Sequence, residues 1–165
     1  MDDKNRQILE ILQQDGRIAH TRLASIVDLS APAVLARVRK LEEQGIIKGY
    51  QAVVDPAKVG HAITCYVSVS VVHHQREPQK QIAERLLNLP QVLEAYHLTG
   101  DIDYMLKVTV PNIEALEQFL MEDLASIPGL DKVHTSVVLS TVKANGVIPV
   151  VDEEELENSS QNGHR

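Results

Sequence analysis

Two groups of residues in this chain have types and spacing suited to chemistry, and both suit recognition better than bond-making. The first is basic. Between Arg17 and Lys40 stand Arg17, Arg22, Arg37, Arg39 and Lys40 against a single acid, Asp28. Cations grouped this way attract phosphate, and the small residues among them, Ala31, Ala33 and Ala36, would let a helix approach a base edge or a thymine methyl. Ser30 could offer its hydroxyl to a phosphate from a helix start. The bland reading of the same residues is a solvated face on a helical packing module. The second group is Gly100-Asp101-Ile102-Asp103-Tyr104. Carboxylates give an α-ammonium its partner, and a glycine-containing turn exposes backbone N–H groups to an α-carboxylate, so the run suits a free amino acid. It is equally good hairpin chemistry, because Gly-Asp forms turns readily. His134 and Ser136 are weaker candidates for the same cleft.

Other reactive types point nowhere. His73 and His74 are adjacent, so on a strand they face opposite ways and do not chelate one ion easily; no metal is expected. Cys65 falls on the apolar side of its segment and reads as inert core. No nucleophile elbow, phosphate loop or dinucleotide fingerprint occurs, so no catalytic residue and no cofactor is expected.

Helices must position the basic group. Asp2 and Asp3 can cap a first helix with Ile8, Leu9, Ile11 and Leu12 on its apolar stripe, ending at Asp15-Gly16. A shorter helix runs from about His20 or Thr21 to Val27 and buries Leu23, Ala24 and Val27. Asp28-Leu29 makes a tight turn in which Asp28 tolerates positive φ. Ser30 then caps a third helix with Pro32 in its first turn. Val34, Val38 and Leu41 fall at i, i+4 and i+7 and face inward. Ala33, Ala36, Arg37 and Lys40 are then expected to face outward, with Arg39 on the flank. Two short helices around a tight turn, the second basic outside, form a helix-turn-helix pattern.

The period changes to two at residue 62. Cys65, Val67, Val69 and Val71 alternate with Tyr66, Ser68 and Ser70, which specifies a strand with one buried face. A helix from Glu77-Pro78 carries Ile82, Leu86 and Leu89. Strands follow at Val92 to Thr99 and Tyr104 to Val110. A helix with Ile113, Leu116, Leu120 and Leu124 closes at Pro128-Gly129, and a last strand spans Lys132 to Val142. The order βαββαβ is the ferredoxin-like arrangement, so the fold class is α+β, a helix-turn-helix domain followed by a ferredoxin-like domain. The expected domains are residues 1–50, an extended linker at 51–60, the second domain at 61–145, and an acidic disordered tail at 146–165. The sheet face left open by the two helices carries apolar groups and calls for at least a dimer.

Composition fits this plan. The chain has 165 residues, 44% hydrophobic and 24% charged, with one cysteine. No apolar run nears the roughly 18 to 20 residues a bilayer span requires, so no membrane partner is expected and the protein reads as cytoplasmic. The net charge of -7 hides an asymmetry: residues 1–50 hold eight Lys/Arg and seven Asp/Glu, and residues 51–165 hold eight and sixteen. A local basic face survives on an acidic protein because fields are screened over about 8 to 10 Å.

Several of these stretches together resemble the Lrp/AsnC family, the feast/famine transcriptional regulators. They are Asp15-Gly16-Arg17, the LAS run with Leu29-Ser30, ARVRKLEEQGIIKGY from Ala36 to Tyr50, TGDIDYMLKV from Thr99 to Val108, Pro128-Gly129, and HTSVVLSTVK ending at Lys143. The match covers about residues 2 to 145. Asp28 departs from it, standing where the family commonly has Gly, and the acidic tail is extra. The resemblance implies a double-stranded DNA partner, a small-molecule effector of amino-acid type bound between subunits, and self-association into dimers that commonly build octamers. The implied DNA-contacting set is Arg22, Ser30, Ala31, Ala33, Ala36, Arg37, Arg39 and Lys40. The implied effector set is Thr99, Gly100, Asp101, Asp103, Tyr104, His134 and Ser136. Two alternatives stand beside it. Some Lrp-like proteins act as sirohaem decarboxylases, which need histidine and aromatic clusters, and aromatics make up only 3% here. The other is an architectural DNA-binding protein that ignores ligands.

Overall fold

The computed structural model describes residues 1–72 and 76–151, with 76–80 described by backbone alone. The chain divides into two units, Met1–Ala52 together with the segment from Lys143, and Val53–Val142.

In the first unit, α1 (Asp3–Gln14), α2 (His20–Val27) and α3 (Ala31–Glu43) pack around Ile8, Leu9, Leu23, Ala24, Val27, Val34, Val38 and Leu41. Local chemistry sets each boundary. The Asp2 carboxylate accepts from Asn5 N at 2.8 Å, Asp28 turns the chain at φ 53°, and Ser30 Oγ accepts from Ala33 N at 3.3 Å. These match the caps and the turn read from sequence. Tyr50 lies over the turn after α1, where a Cβ on Gly16 would sit 3.1 Å from its ring. Tyr50 Oη donates to Glu42 Oε1 at 3.1 Å, so the extended segment after α3 is fixed at both ends of one side chain.

One expectation fails here. Acidic composition places residues 146–151 in a disordered tail, yet they pack on this unit: Val150 lies against its core, and Ile148 exchanges two hydrogen bonds with Gln13. Val147, Ile148, Pro149 and Val150 are apolar, and that separates them from the acids beginning at Asp152. Those acids, like His73 and His74, lie outside the described residues.

The second unit is an antiparallel sheet of order β2-β3-β1-β4, built from β1 (Ile63–Val71), β2 (Val92–His97), β3 (Tyr104–Val110) and β4 (Leu130–Val137). With α4 (Arg76–Leu87) and α5 (Ile113–Gln118), it realises the βαββαβ order. The core joins Cys65, Val67 and Val69 to Leu106 and Val108, with Ile82, Leu86 and Phe119 from the helices. The helix after Gln118 changes to a π-helical turn over Phe119–Leu124. Phe119, three residues after buried Leu116, shares its helix face and is completely buried, while Leu120, which the sequence reading places in the core, is only half-buried.

β4 begins earlier and ends sooner than the apolar alternation implied. β1 runs out at Ile63, so after Val138 N donates to Thr64 O no partner strand remains. Leu139 and Val142 beyond it are almost wholly exposed. The helices leave β4 uncovered as well: Val133 and Val137 share the helix-side register of buried Val69 and Cys65, yet both are exposed. On the opposite face stand Tyr66, Tyr96 and Met105, with Lys107 Nζ paired to Glu94 Oε1 at 2.7 Å.

The turn at Asp28 gives a direct test. A β-branched residue in the left-handed region costs about 1 kcal/mol or more, whereas glycine is free of that strain. Asp28→Val should therefore lower the urea midpoint of the first unit, and Asp28→Gly should hold or raise it. Equal midpoints for all three proteins would contradict the assigned turn.

Candidate functional site

The outer face of α3 is defined by what its inner face buries. At about 100° per residue, Val34, Val38 and Leu41 point into the core, and Pro32, Ala36, Arg39 and Glu43 point the opposite way. Ala36, Arg39 and Lys40 are exposed there, Ala31 and Ala33 are half-buried, and Ser30 stands exposed at the helix start. Arg22 is exposed on α2. Arg39 thus sits near the centre of the outward face, where the sequence had placed it on the flank.

Arg37 is the larger correction. It was expected to face outward, but its guanidinium donates to Asp2 Oδ2 at 2.5 Å and to Asn5 Oδ1 at 2.9 Å, both on the first turn of α1. Its position borders the buried stripe of α3, and that side meets α1. The Arg37 hydrogen bond, followed by that of Asn5 N–H, holds the Asp2 carboxyl below the usual carboxylate range. Lys4 is committed in a similar way, its ammonium donating to Val27 O at 2.6 Å at the end of α2. Arg37 and Lys4 therefore fix α1 against the other two helices. Among the described residues, Arg22, Arg39 and Lys40 make no ion pair.

In the second unit the turn after β2 closes when Leu98 N donates to Asp103 O at 2.8 Å. Gly100 has φ 119° and open space around its Cα, and Thr99, Gly100 and Asp101 are exposed. Asp101 O accepts from Ser70 Oγ at 3.3 Å. Asp103 has structural work: its Oδ2 accepts from Val71 N at 2.8 Å, and its own N–H donates to Val69 O at 2.9 Å. The pairing of β1 with β4 shifts register between Val69 and Val71, and the Asp103 carboxylate serves the N–H at that irregularity. Tyr104 departs further from expectation. It is buried at 5% exposure because its place in β3 faces the helices, and it stacks on His97 with ring centroids 5.0 Å apart. Burial, reinforced by Asp103, pushes its phenol pKa up.

His134 and Ser136 are exposed on the open face of β4, opposite Ser68 and Tyr66. Strands sit about 4.8 Å apart, so β1 separates them from β3 and the turn that leads into it. His134 is two residues nearer the turn than Ser136. Cys65 is fully buried, which raises its thiol pKa and agrees with an inert core residue. Among the described residues, no group of three His, Cys, Asp or Glu is placed to hold a metal ion.

These two arrangements, a helix-turn-helix unit and a sheet unit with an exposed glycine turn, define a class of DNA-binding regulator with a separate sensing domain. Residues 1–48 match the winged helix-turn-helix DNA-binding family, and residues 64–148 match the Lrp/AsnC ligand binding domain. Transcriptional regulator AzlB of Bacillus subtilis is 35% identical over 150 residues, covering 91% of this chain and 96% of its own length. The leucine-responsive regulatory protein of Rhizobium meliloti is 35% identical over 143 residues, covering 87% and 92%. A transcriptional regulator of Neisseria meningitidis, solved as a complex with L-methionine, superposes with a TM-score of 0.85 at 29% identity, covering 90% of this chain and 96% of that one. The chain belongs to the Lrp/AsnC family of transcriptional regulators.

The geometry of Asp103 predicts a stability role that is separate from ligand. Removing its carboxylate leaves the N–H of buried Val71 without that acceptor, which costs about 1–3 kcal/mol. Asp103→Ala should lower the urea midpoint of the second unit with no ligand present, and Asp103→Asn, which keeps an acceptor oxygen, should restore most of the loss. An Asp103→Ala protein as stable as the parent would show that the bond has no such role.

Proposed function

We propose that the first unit docks the outward face of α3 in the major groove of double-stranded DNA, with Arg39 and Lys40 on phosphate or base edges and Ala36 at closest approach. Arg22 and the Ser30 hydroxyl would add backbone contacts, with Ala31 and Ala33 flanking the approach and Arg37 acting from behind by fixing α1. The observation that carries this reading is the pair of exposed cations, free of ion pairs among the described residues, beside a small residue on the face of α3 that buries nothing. So few long polar side chains favour modest base discrimination, with DNA shape and bendability supplying much of the specificity.

The second unit, in the same proposal, takes an amino acid at the turn of Thr99, Gly100 and Asp101. Asp101 would meet the ammonium and the backbone N–H groups the carboxylate, with Asp103 holding the turn and His134 and Ser136 toward the neighbouring open face. The L-methionine complex of the Neisseria relative supports that ligand class. Exposed Val133 and Val137 on an uncovered edge strand, and Tyr66 and Tyr96 on the open face, support self-association into dimers and larger assemblies. Occupancy of the turn would shift assembly and thereby DNA affinity. We read the chain as a regulator and not an enzyme, as the names of its relatives support, with no resident cofactor; action on DNA places its work in the cytoplasm.

Two measurements test this. On B-DNA the slope of log affinity against log salt changes by about 0.9 for each phosphate a protein ceases to neutralise. Arg39→Ala with Lys40→Ala should flatten the slope by an amount equal to about two phosphates, whereas Arg37→Ala should lower stability and leave the slope nearly unchanged. The opposite pattern would move the docking face. For the effector, L-methionine should change operator affinity of the parent protein but not of Gly100→Val, whose φ a β-branched residue rarely adopts. Equal responses would place the effector elsewhere.

A further inference from the structure

We propose that the acidic segment from Asp152 to Glu157 is an in-chain competitor of DNA for the basic residues of the first unit, an inference that rests on the DNA-binding reading above. The described chain delivers it there. Gln13 Nε2 donates to Ile148 O at 3.0 Å, and Ile148 N donates back to Gln13 Oε1 at 2.7 Å. This two-way clip holds Ile148 against α1. Beyond it Val150 packs on the helical core, and Val151 borders an apolar groove of about 600 Å3 shared with Met1 and Leu9. The last described residue therefore lies on the DNA-binding unit itself.

The next residues are Asp152-Glu153-Glu154-Glu155-Leu156-Glu157, five carboxylates in six positions. Their counterparts are at hand. Lys4, Arg6 and Arg37 are engaged with Val27 O, Asp3 and Asp2. Arg17, Arg22, Arg39, Lys40 and Lys48 are exposed and make no ion pair among the described residues. Six residues reach at most about 20 Å, and a unit of this size has a radius of gyration near 10 Å. The acids thus reach much of the unit's surface. Short tethers give effective concentrations of about millimolar, enough for weak multivalent contacts to compete with the phosphates of a non-specific duplex at low salt.

Three proteins decide it: the full chain, a chain ending at Val151 that keeps the clip, and a full-length chain carrying Asp152→Asn, Glu153→Gln, Glu154→Gln, Glu155→Gln and Glu157→Gln. Affinity for a 30-base-pair duplex of arbitrary sequence is read by fluorescence anisotropy from low to high salt, with assembly state checked by sedimentation. Both altered proteins should bind about tenfold more tightly than the full chain at low salt, the advantage fading as salt screens it. Gln13→Ala, which removes both bonds of the clip, should recover part of that gain. Equal affinities for all three proteins overturn the proposal, as does a gain from truncation that neutralisation does not reproduce. If the chain ending at Val151 fails to bind DNA at all, the DNA-binding reading falls instead.

Discussion

The sensing unit depends on the two-residue period of β1. Cys65, Val67, Val69 and Val71 must all lie on one side, and each is buried, so the strand has only one register that keeps its apolar set out of water. β1, like β3, has neighbours on both sides, in its case β3 and β4. Its register therefore sets theirs. Tyr104 is carried into the core opposite Val69, and the glycine turn is left just outside the sheet end. The irregularity between Val69 and Val71 breaks the ladder with β4, and Asp103 meets the Val71 N–H there. A residue that looks like a ligand-binding carboxylate in the sequence is thus also a structural acceptor at the end of the central strand. Asp101 is the more exposed acid, and it falls to Asp101 to offer charge outward.

What could be read from the sequence follows the range of the interactions. The helix-turn-helix was legible because its boundaries are set within four residues: Asp2 on Asn5, Asp28 at its own φ, Ser30 on Ala33. The strand β1 was legible for the same reason, since alternation is local. Arg37 was not, because its partner stands 35 residues away and helical period alone places it beside Ala33 and Lys40. Phe119 was missed because Phe119 and Leu120 stand at i+3 and i+4 from Leu116, both compatible with its apolar face, and the period alone does not say which of the two is buried. The end of β4 was overestimated because the apolar residues continue to Val142, whereas the partner strand does not. The packing of residues 146–151 was hidden by their nearness to the acids. In the proposed sites the same rule holds: the exposed turn and the exposed Lys40 were visible, and the internal duties of Arg37, Asp103 and Tyr104 were not.

Charge in the helical unit is divided between holding the unit together and facing outward. Asp2 does two jobs at once, capping α1 and binding Arg37, and its lowered pKa records both. Because the folded pKa is depressed, this contribution is present above the unfolded value near 3.8 and is lost as acid drives the pH down through the folded value. With the Asp2 side chain about half exposed, solvent screening keeps the pair's contribution small. Its importance is geometric, since it sets how α1 lies across α3 and so which side of α3 remains open.

That division limits what one unit can do. Eight basic residues lie in residues 1–52, and three of them are engaged with the unit's own atoms. The five that remain could neutralise at most about five phosphates, and a non-specific contact set of that size sits in the weak range of about 10⁻⁴ to 10⁻⁶ M at physiological salt. Two linked units on one duplex bind far more tightly, because the second binding event becomes intramolecular. In the proposed mechanism, assembly is therefore the main route to useful affinity. An effector that favours one assembly over another needs no contact with α3 to govern DNA binding; it needs only a difference in its own affinity for the two assemblies. A small, weakly charged reading head and an exposed turn in the unit proposed to self-associate are consistent parts of such a design.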